Sequence, residues 1–177
     1  MNAGLARRHV LLWGMMGSGK STVGPVLAAR LNHTYVDLDR AIETTVGLSI
    51  ADIFTHHGEP VFRAREQALL KAYLDLEAPQ TIALGGGALI DDDLRAFART
   101  RARVVCLAAS ADTLARRIGD GQNRPLLGEH VEETLTALLS DRAAAYADVD
   151  LTVATDLASP ESVARSIASA LRGQEAA

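Results

Sequence analysis

The chain has a single cysteine, Cys106, so no internal disulfide can brace the fold. It sits in the apolar run RVVCLA, where a small buried hydrophobe is expected rather than a reactive thiol. No stretch is long and apolar enough to read as a membrane span. The apolar run behind Arg7 and Arg8 has only strand length and leads into a glycine-rich loop, so it is not read as a signal sequence, and a cytoplasmic protein is expected. Positive charge is not in excess. The formal net charge is −4, which argues against a generic nucleic-acid binder and requires any basic site to be built locally. Clustered metal ligands are missing too: His56 and His57 are adjacent on an expected helix and point apart, and His9, His33 and His130 are scattered. No repeat, low-complexity tract or long linker divides the 177 residues, which suffice for one domain, 1–177, with a full core.

What is present centres on residues 9–32, HVLLWGMMGSGKSTVGPVLAARLN. An apolar run at 9–13 reads as a buried strand. The next residues fit G-x-x-x-x-G-K-[ST] at every fixed position, with Gly14, Gly19, Lys20 and Ser21. A helical pattern follows, with Val23, Leu27 and Leu31 on one face. Strand, glycine-rich turn and helix together form an anion nest with a helix dipole behind it. Gly17, Ser18, Gly19, Lys20, Ser21 and Thr22 are expected to wrap the phosphates of a nucleotide. Lys20 supplies charge to the terminal phosphates, and Ser21 offers its hydroxyl to the Mg²⁺ that arrives with the nucleotide. A plain turn would not explain Lys20 and Ser21 at this spacing.

Further strands are expected at 34–38, 82–84, 104–107 and, more weakly, 151–153. Helices are expected near 40–47, 50–57, 59–77, 92–99, 111–118, 131–146 and 160–172, with Ser49, Ser110 and Ser159 as N-caps and Pro160 in the first turn of the last. This alternation defines an α/β chain with a parallel sheet covered on both faces, and ligands gather beyond the carboxyl ends of such strands.

Those ends carry the chemistry. Asp37 and Asp39 stand two apart at the end of the second strand. A phosphoryl transferase needs one carboxylate near Mg²⁺ and one that orients the attacking hydroxyl. The competing reading makes Asp39 the cap of a helix starting at Arg40. Gly85, Gly86 and Gly87 follow the third strand, and three consecutive glycines make sense where a ligand must approach the backbone. In helix 59–77, Phe62, Leu69 and Tyr73 form an apolar stripe with Glu66 on it and Arg63 beside Glu66. The choice lies between a surface ion pair and a site in which Glu66 fixes Arg63. Arg65 is expected to be solvated. In helix 131–146, Arg142 continues the apolar face of Val131, Leu135, Leu138 and Leu139, and an inward arginine needs an anion or a buried partner. Residues 119–130, GDGQNRPLLGEH, lack periodicity; they fit a mobile flap that brings Arg124 to the phosphates, or an ordinary loop.

Taken together, GMMGSGKST, VDLD, GLSIADIF, GEPVFRAREQALL, ALGGG, NRPLL and the R-x-x-x-Y of Arg142 and Tyr146 resemble the shikimate kinase family over nearly the whole chain. The resemblance implies a three-layer P-loop kinase fold with a five-stranded parallel sheet and a mobile lid at about 112–128. It implies phosphorylation of the 3-hydroxyl of shikimate by ATP, on the route to aromatic amino acids, by a monomer. Asp39, Lys20 and Arg124 would be catalytic, with Asp39 as general base. Ser21 and Asp37 would serve Mg²⁺. Arg63 and Arg142 would clamp the shikimate carboxylate, with Glu66, Gly85, Gly86 and Gly87 completing that pocket. Arg124 would swing onto the phosphates, and Arg117 and Pro160 would sandwich the adenine. One position departs from the family pattern: Pro25 stands in the phosphate-loop helix where a basic residue is usual, and it cannot donate to the Ser21 carbonyl. Rival readings are another small-molecule P-loop kinase, of gluconate or nucleoside monophosphate type, and a nucleotide-binding module without catalysis.

Overall fold

Each expected strand forms, and every strand pairing is parallel, in the order β2-β3-β1-β4-β5. The computed structural model describes residues 8–119 and 131–175. In chain order the elements are β1 (His9–Trp13), α1 (Lys20–Leu31), β2 (Thr34–Asp37), α2 (Leu38–Val46), α3 (Ile50–His57), α4 (Glu59–Leu74) and β3 (Gln80–Ala83). They continue with α5 (Asp92–Arg99), β4 (Ala102–Ala108), α6 (Ala111–Ile118), α7 (Val131–Ala147), β5 (Leu151–Ala154) and α8 (Pro160–Glu175).

Strand side chains alternate between faces, and this sorts the sheet into two cores. Val10, Leu12, Val105 and Leu107 pack beneath α1 and α8, against Val23, Leu27, Val163 and Ile167. Leu11, Trp13, Ile82, Val104 and Cys106 face the other way, toward Leu38, Ile53, Phe62, Leu70, Leu114 and Leu135. Every residue of β1 is buried, as a central strand covered on both faces requires. Each fully buried leucine, such as Leu11, Leu12 or Leu27, contributes about 1.5–3 kcal/mol. Cys106 is buried, and burial pushes its thiol up to about 11, in keeping with an inert core residue. Among the described residues no helix is long and apolar enough to cross a membrane.

The expected caps hold: Ser49, Ser110 and Ser159 accept from the backbone N–H groups of Asp52, Thr113 and Ser162. Two expectations and one competing reading need correction. Helix α2 begins at Leu38, not Arg40, so Leu38 is a buried helical residue rather than the end of a strand. Asp37, not Asp39, caps it: Asp37 Oδ1 accepts from the Arg40 N–H at 3.3 Å. On α4 the buried stripe is Phe62, Glu66, Leu70 and Leu74, whereas Leu69 and Tyr73 are only partly buried. A spacing of four along α4 follows the face presented to the sheet more closely than the mixed spacing read from the sequence. Pro25 lies inside α1 without breaking it. Its side chain is exposed, and so close to the start of the helix it forgoes one backbone bond, that to the Ser21 carbonyl.

β1 lies between β3, reached by a return from the outer strand β2, and β4, so the strand order switches direction at β1. The carboxyl ends of β1, β2 and β3 therefore open on one crevice.

Candidate active site

The loop after β1 is set by backbone that only glycine takes easily. Gly14 has φ +132°, and a Cβ there would lie 2.4 Å from the Leu107 carbonyl oxygen. Gly19, in the left-handed region at φ 100°, is the N-cap of α1 and caps it with no side chain, which leaves the first N–H groups of the helix facing the crevice. Lys20 Nζ donates to the carbonyls of Gly14 at 2.8 Å and Met15 at 2.9 Å, so the ammonium is held within its own loop. Ser18 is fully buried, and its carbonyl accepts from Thr155 Oγ1 at 3.0 Å.

Beside the loop, Ser21 Oγ donates to Asp37 Oδ2 at 3.1 Å. One carboxylate thus does two jobs, with Oδ1 on the α2 cap and Oδ2 toward Ser21. Among the described residues no group of three or more His, Cys, Asp or Glu could hold a metal. A hydroxyl and one carboxylate suit a hard cation that keeps its waters and takes further oxygens from phosphates, as Mg²⁺ does. Tyr35 brings a buried oxygen with no hydrogen-bond partner to this region, so the donor set fits a hydrated ion.

Asp39 lies in the first turn of α2. Burial, followed by the nearby Asp37 charge, raises its carboxyl above the usual range, while Lys20 and Arg63 oppose this. Glu66 is 2% exposed; burial raises its carboxyl and Arg63 opposes. The predicted Arg63–Glu66 pair forms, with NH1 donating to Oε2 at 2.7 Å. Arg63 also donates through Nε and NH2 to Glu59 Oε1, a partner the sequence reading missed.

The three glycines after β3 meet this charged ring one by one. A Cβ at Gly85 would sit 2.9 Å from Glu66 Oε1 and 3.2 Å from Asp39 Oδ1. At Gly86 it would sit 3.1 Å from an Arg142 NH1 atom, and at Gly87 2.6 Å from Arg63 NH2. Arg142 is half-buried on the inner face of α7, as its spacing predicted. The Gly86 carbonyl is fixed from behind by Tyr146 Oη at 2.9 Å and Trp13 Nε1 at 3.1 Å, whose rings meet edge-on at 4.6 Å. Trp13 could be read only as a strand residue, because its partner lies 73 positions away.

On the nucleotide side, Arg117 donates to the Gly17 carbonyl at 3.3 Å and to Thr155 Oγ1 at 3.1 Å. Pro160 begins α8 on the wall of the same cavity. Thr155 was missed as well; it is buried and ties the phosphate loop to the segment after β5. The whole cavity is about 630 Å³. Gly17, Ser18, Gly19, Lys20, Ser21 and Thr22 line one end, and Asp39, Arg63, Glu66, Arg142 and the three glycines line the other. Arg124 lies outside the described residues; of the expected lid, residues 112–118 belong to α6.

A nucleoside-triphosphate loop at one end of a parallel-sheet crevice and a compact pocket with two arginines and two buried carboxylates at the other define a P-loop phosphotransferase for a small anionic acceptor. A family model described as shikimate kinase matches residues 16–172. A shikimate kinase of Streptomyces avermitilis is 43% identical over 169 residues, covering 95% of this chain and 98% of the relative. One of Geobacter metallireducens is 39% identical, covering 94% of this chain and 93% of the relative. The structure of shikimate kinase from Acinetobacter baumannii in complex with shikimate superposes with a TM-score of 0.89 at 33% identity, covering 94% of both chains. The chain belongs to the shikimate kinase family.

Proposed function

We propose that this protein transfers the γ-phosphoryl group of ATP to the 3-hydroxyl of shikimate, giving shikimate 3-phosphate and ADP. The observation that carries this reading is the placement of Arg142 and Arg63 against Gly86 and Gly87, next to Gly85 where Asp39 and Glu66 meet. A carboxylate seated over Gly86 and Gly87 can take hydrogen bonds from two planar guanidinium forks. A ring hydroxyl of the same acid then comes within reach of Asp39, whose unpartnered oxygen can accept its proton.

On the other side, the open N–H groups of α1 and the Lys20 ammonium hold the phosphates and take up charge as it shifts toward the leaving oxygen. Catalysis is then positioning plus electrostatic stabilisation, as phosphoryl transfer requires. Ser21 and Asp37 would hold Mg²⁺, which when bound neutralises charge on the β- and γ-phosphates. Arg117 and Pro160 flank the place for the base, and Arg124 is assigned to the phosphates. We take the enzyme as a cytoplasmic monomer, in line with the expectation from the sequence.

The test is ADP release from Mg²⁺-ATP with shikimate, gluconate, quinate or AMP as acceptor. Stimulation by shikimate alone is expected. Stimulation by AMP would keep the kinase and remove the carboxylate clamp; stimulation by gluconate or quinate, which are themselves carboxylates, would keep the clamp and overturn the choice of shikimate; ATP binding without turnover on any acceptor would favour a non-catalytic module.

A further inference from the structure

We propose that the Tyr35 hydroxyl is part of the metal–nucleotide site, hydrogen-bonding a water of the Mg²⁺ shell held at Ser21 and Asp37. The inference rests on the Mg²⁺ reading above and extends it to a residue that no motif marks.

Tyr35 Oη is buried and has no hydrogen-bond partner. An unpaired hydroxyl cut off from water destabilises a fold, so its retention points to a partner that arrives with a ligand. The groups around it identify that ligand. Its polar neighbours are the Ser21 hydroxyl and the Asp37 carboxylate, which bond to one another at 3.1 Å and lie close to the phenol. Tyr35 and Asp37 are two apart on β2, so their side chains leave the strand on the same side. The ring cannot drift from this place without opening space in α1. It lies over Gly24, where a Cβ would be 2.2 Å from Tyr35 Cε2.

Among the described residues, the other buried side-chain oxygens without partners, Asp39 Oδ1 and Glu66 Oε1, flank Gly85 on the acceptor side. Tyr35 Oη instead adjoins the Ser21–Asp37 pair. Mg²⁺ dehydrates reluctantly and keeps several waters in such sites. A phenol can donate to or accept from a shell water, whereas a phenylalanine here could do neither.

The experiment is calorimetric titration of ADP, with Mg²⁺ and with EDTA, into the wild-type protein and the Tyr35→Phe, Ser21→Ala and Asp37→Asn variants, together with melting of each nucleotide-free protein. Tyr35→Phe should weaken Mg²⁺-ADP by about 3- to 10-fold, the size of one neutral hydrogen bond. It should leave ADP affinity in EDTA unchanged and keep or raise the melting temperature, because it removes an unpaired buried hydroxyl. Ser21→Ala and Asp37→Asn should reduce the gain from Mg²⁺ further. If they do so while Tyr35→Phe matches wild type, the inference fails and the metal site stands. If neither changes the gain from Mg²⁺, the metal site fails and takes the inference with it. A lower melting temperature with equal losses in Mg²⁺ and EDTA would make Tyr35 structural and overturn the inference.

Discussion

Asp39 and Glu66, from different helices, converge on one glycine: each holds a buried oxygen that meets no donor beside the place a Cβ of Gly85 would take. The Asp39 charge also disfavours that of Glu66, on top of the cost of burial.

This has a signed consequence for stability. The Glu66 carboxyl is raised by burial, so the folded chain holds that proton at a pH where the unfolded chain has released it. Folding stability from this group therefore falls as pH rises from the ordinary glutamate range through the raised value. Glu66→Gln should flatten that fall in urea melts taken across the interval. An unchanged slope would show that Arg63 holds Glu66 ionised throughout.

Asp39→Asn should lower kcat by about 10²–10⁴ if Asp39 takes the hydroxyl proton. Shikimate affinity and the melting temperature should hold, because the cap of α2 belongs to Asp37. Steady-state kinetics beside a thermal melt checks this, and near-normal kcat would remove the base.

Arg142→Ala removes one fork of the clamp. A hydrogen bond to a charged group is worth about 1.5–3 kcal/mol, so KM for shikimate should rise by roughly 10- to 100-fold with KM for ATP little changed. Arg142→Lys should recover only part of the loss, since a point charge does not reproduce the planar fork. A rise confined to KM for ATP would reassign Arg142 to the nucleotide.

Two glycine variants should part company. Gly87→Ala places a methyl 2.6 Å from Arg63 NH2, the far end of a flexible side chain, so the fold should survive while KM for shikimate rises. Gly14→Ala meets the Leu107 carbonyl at 2.4 Å in a left-handed conformation, so neither neighbour nor backbone can yield. It should lower the melting temperature sharply.

The single tryptophan offers a direct readout, because Trp13 Nε1 is bonded to the Gly86 carbonyl on the rim of the acceptor pocket. Shikimate should change its emission saturably, and Tyr146→Phe, which removes the second donor to that carbonyl, should alter the amplitude. A flat titration with turnover intact would uncouple the carbonyl from the ligand.

The order of strands and helices was readable because apolar runs and caps are local signals, as Ser49 and Ser110 show. Lys20, Ser21, Arg63 and Glu66 were readable for the same reason: spacing along one loop or helix specifies their relations. Contacts across the sheet were not. Nothing near Trp13 announces Gly86, and nothing near Arg117 announces Thr155. The helix boundary at Leu38 was missed because Asp37 and Asp39 are equally good caps on paper, and only the turn of the chain out of β2 chooses between them.

That choice joins the two halves of the reaction. Asp37 Oδ1 sets the start of α2, the helix that carries Asp39, while Oδ2 faces Ser21 and the nucleotide. One carboxylate is thus the shared abutment of the nucleotide side and of the helix that carries Asp39.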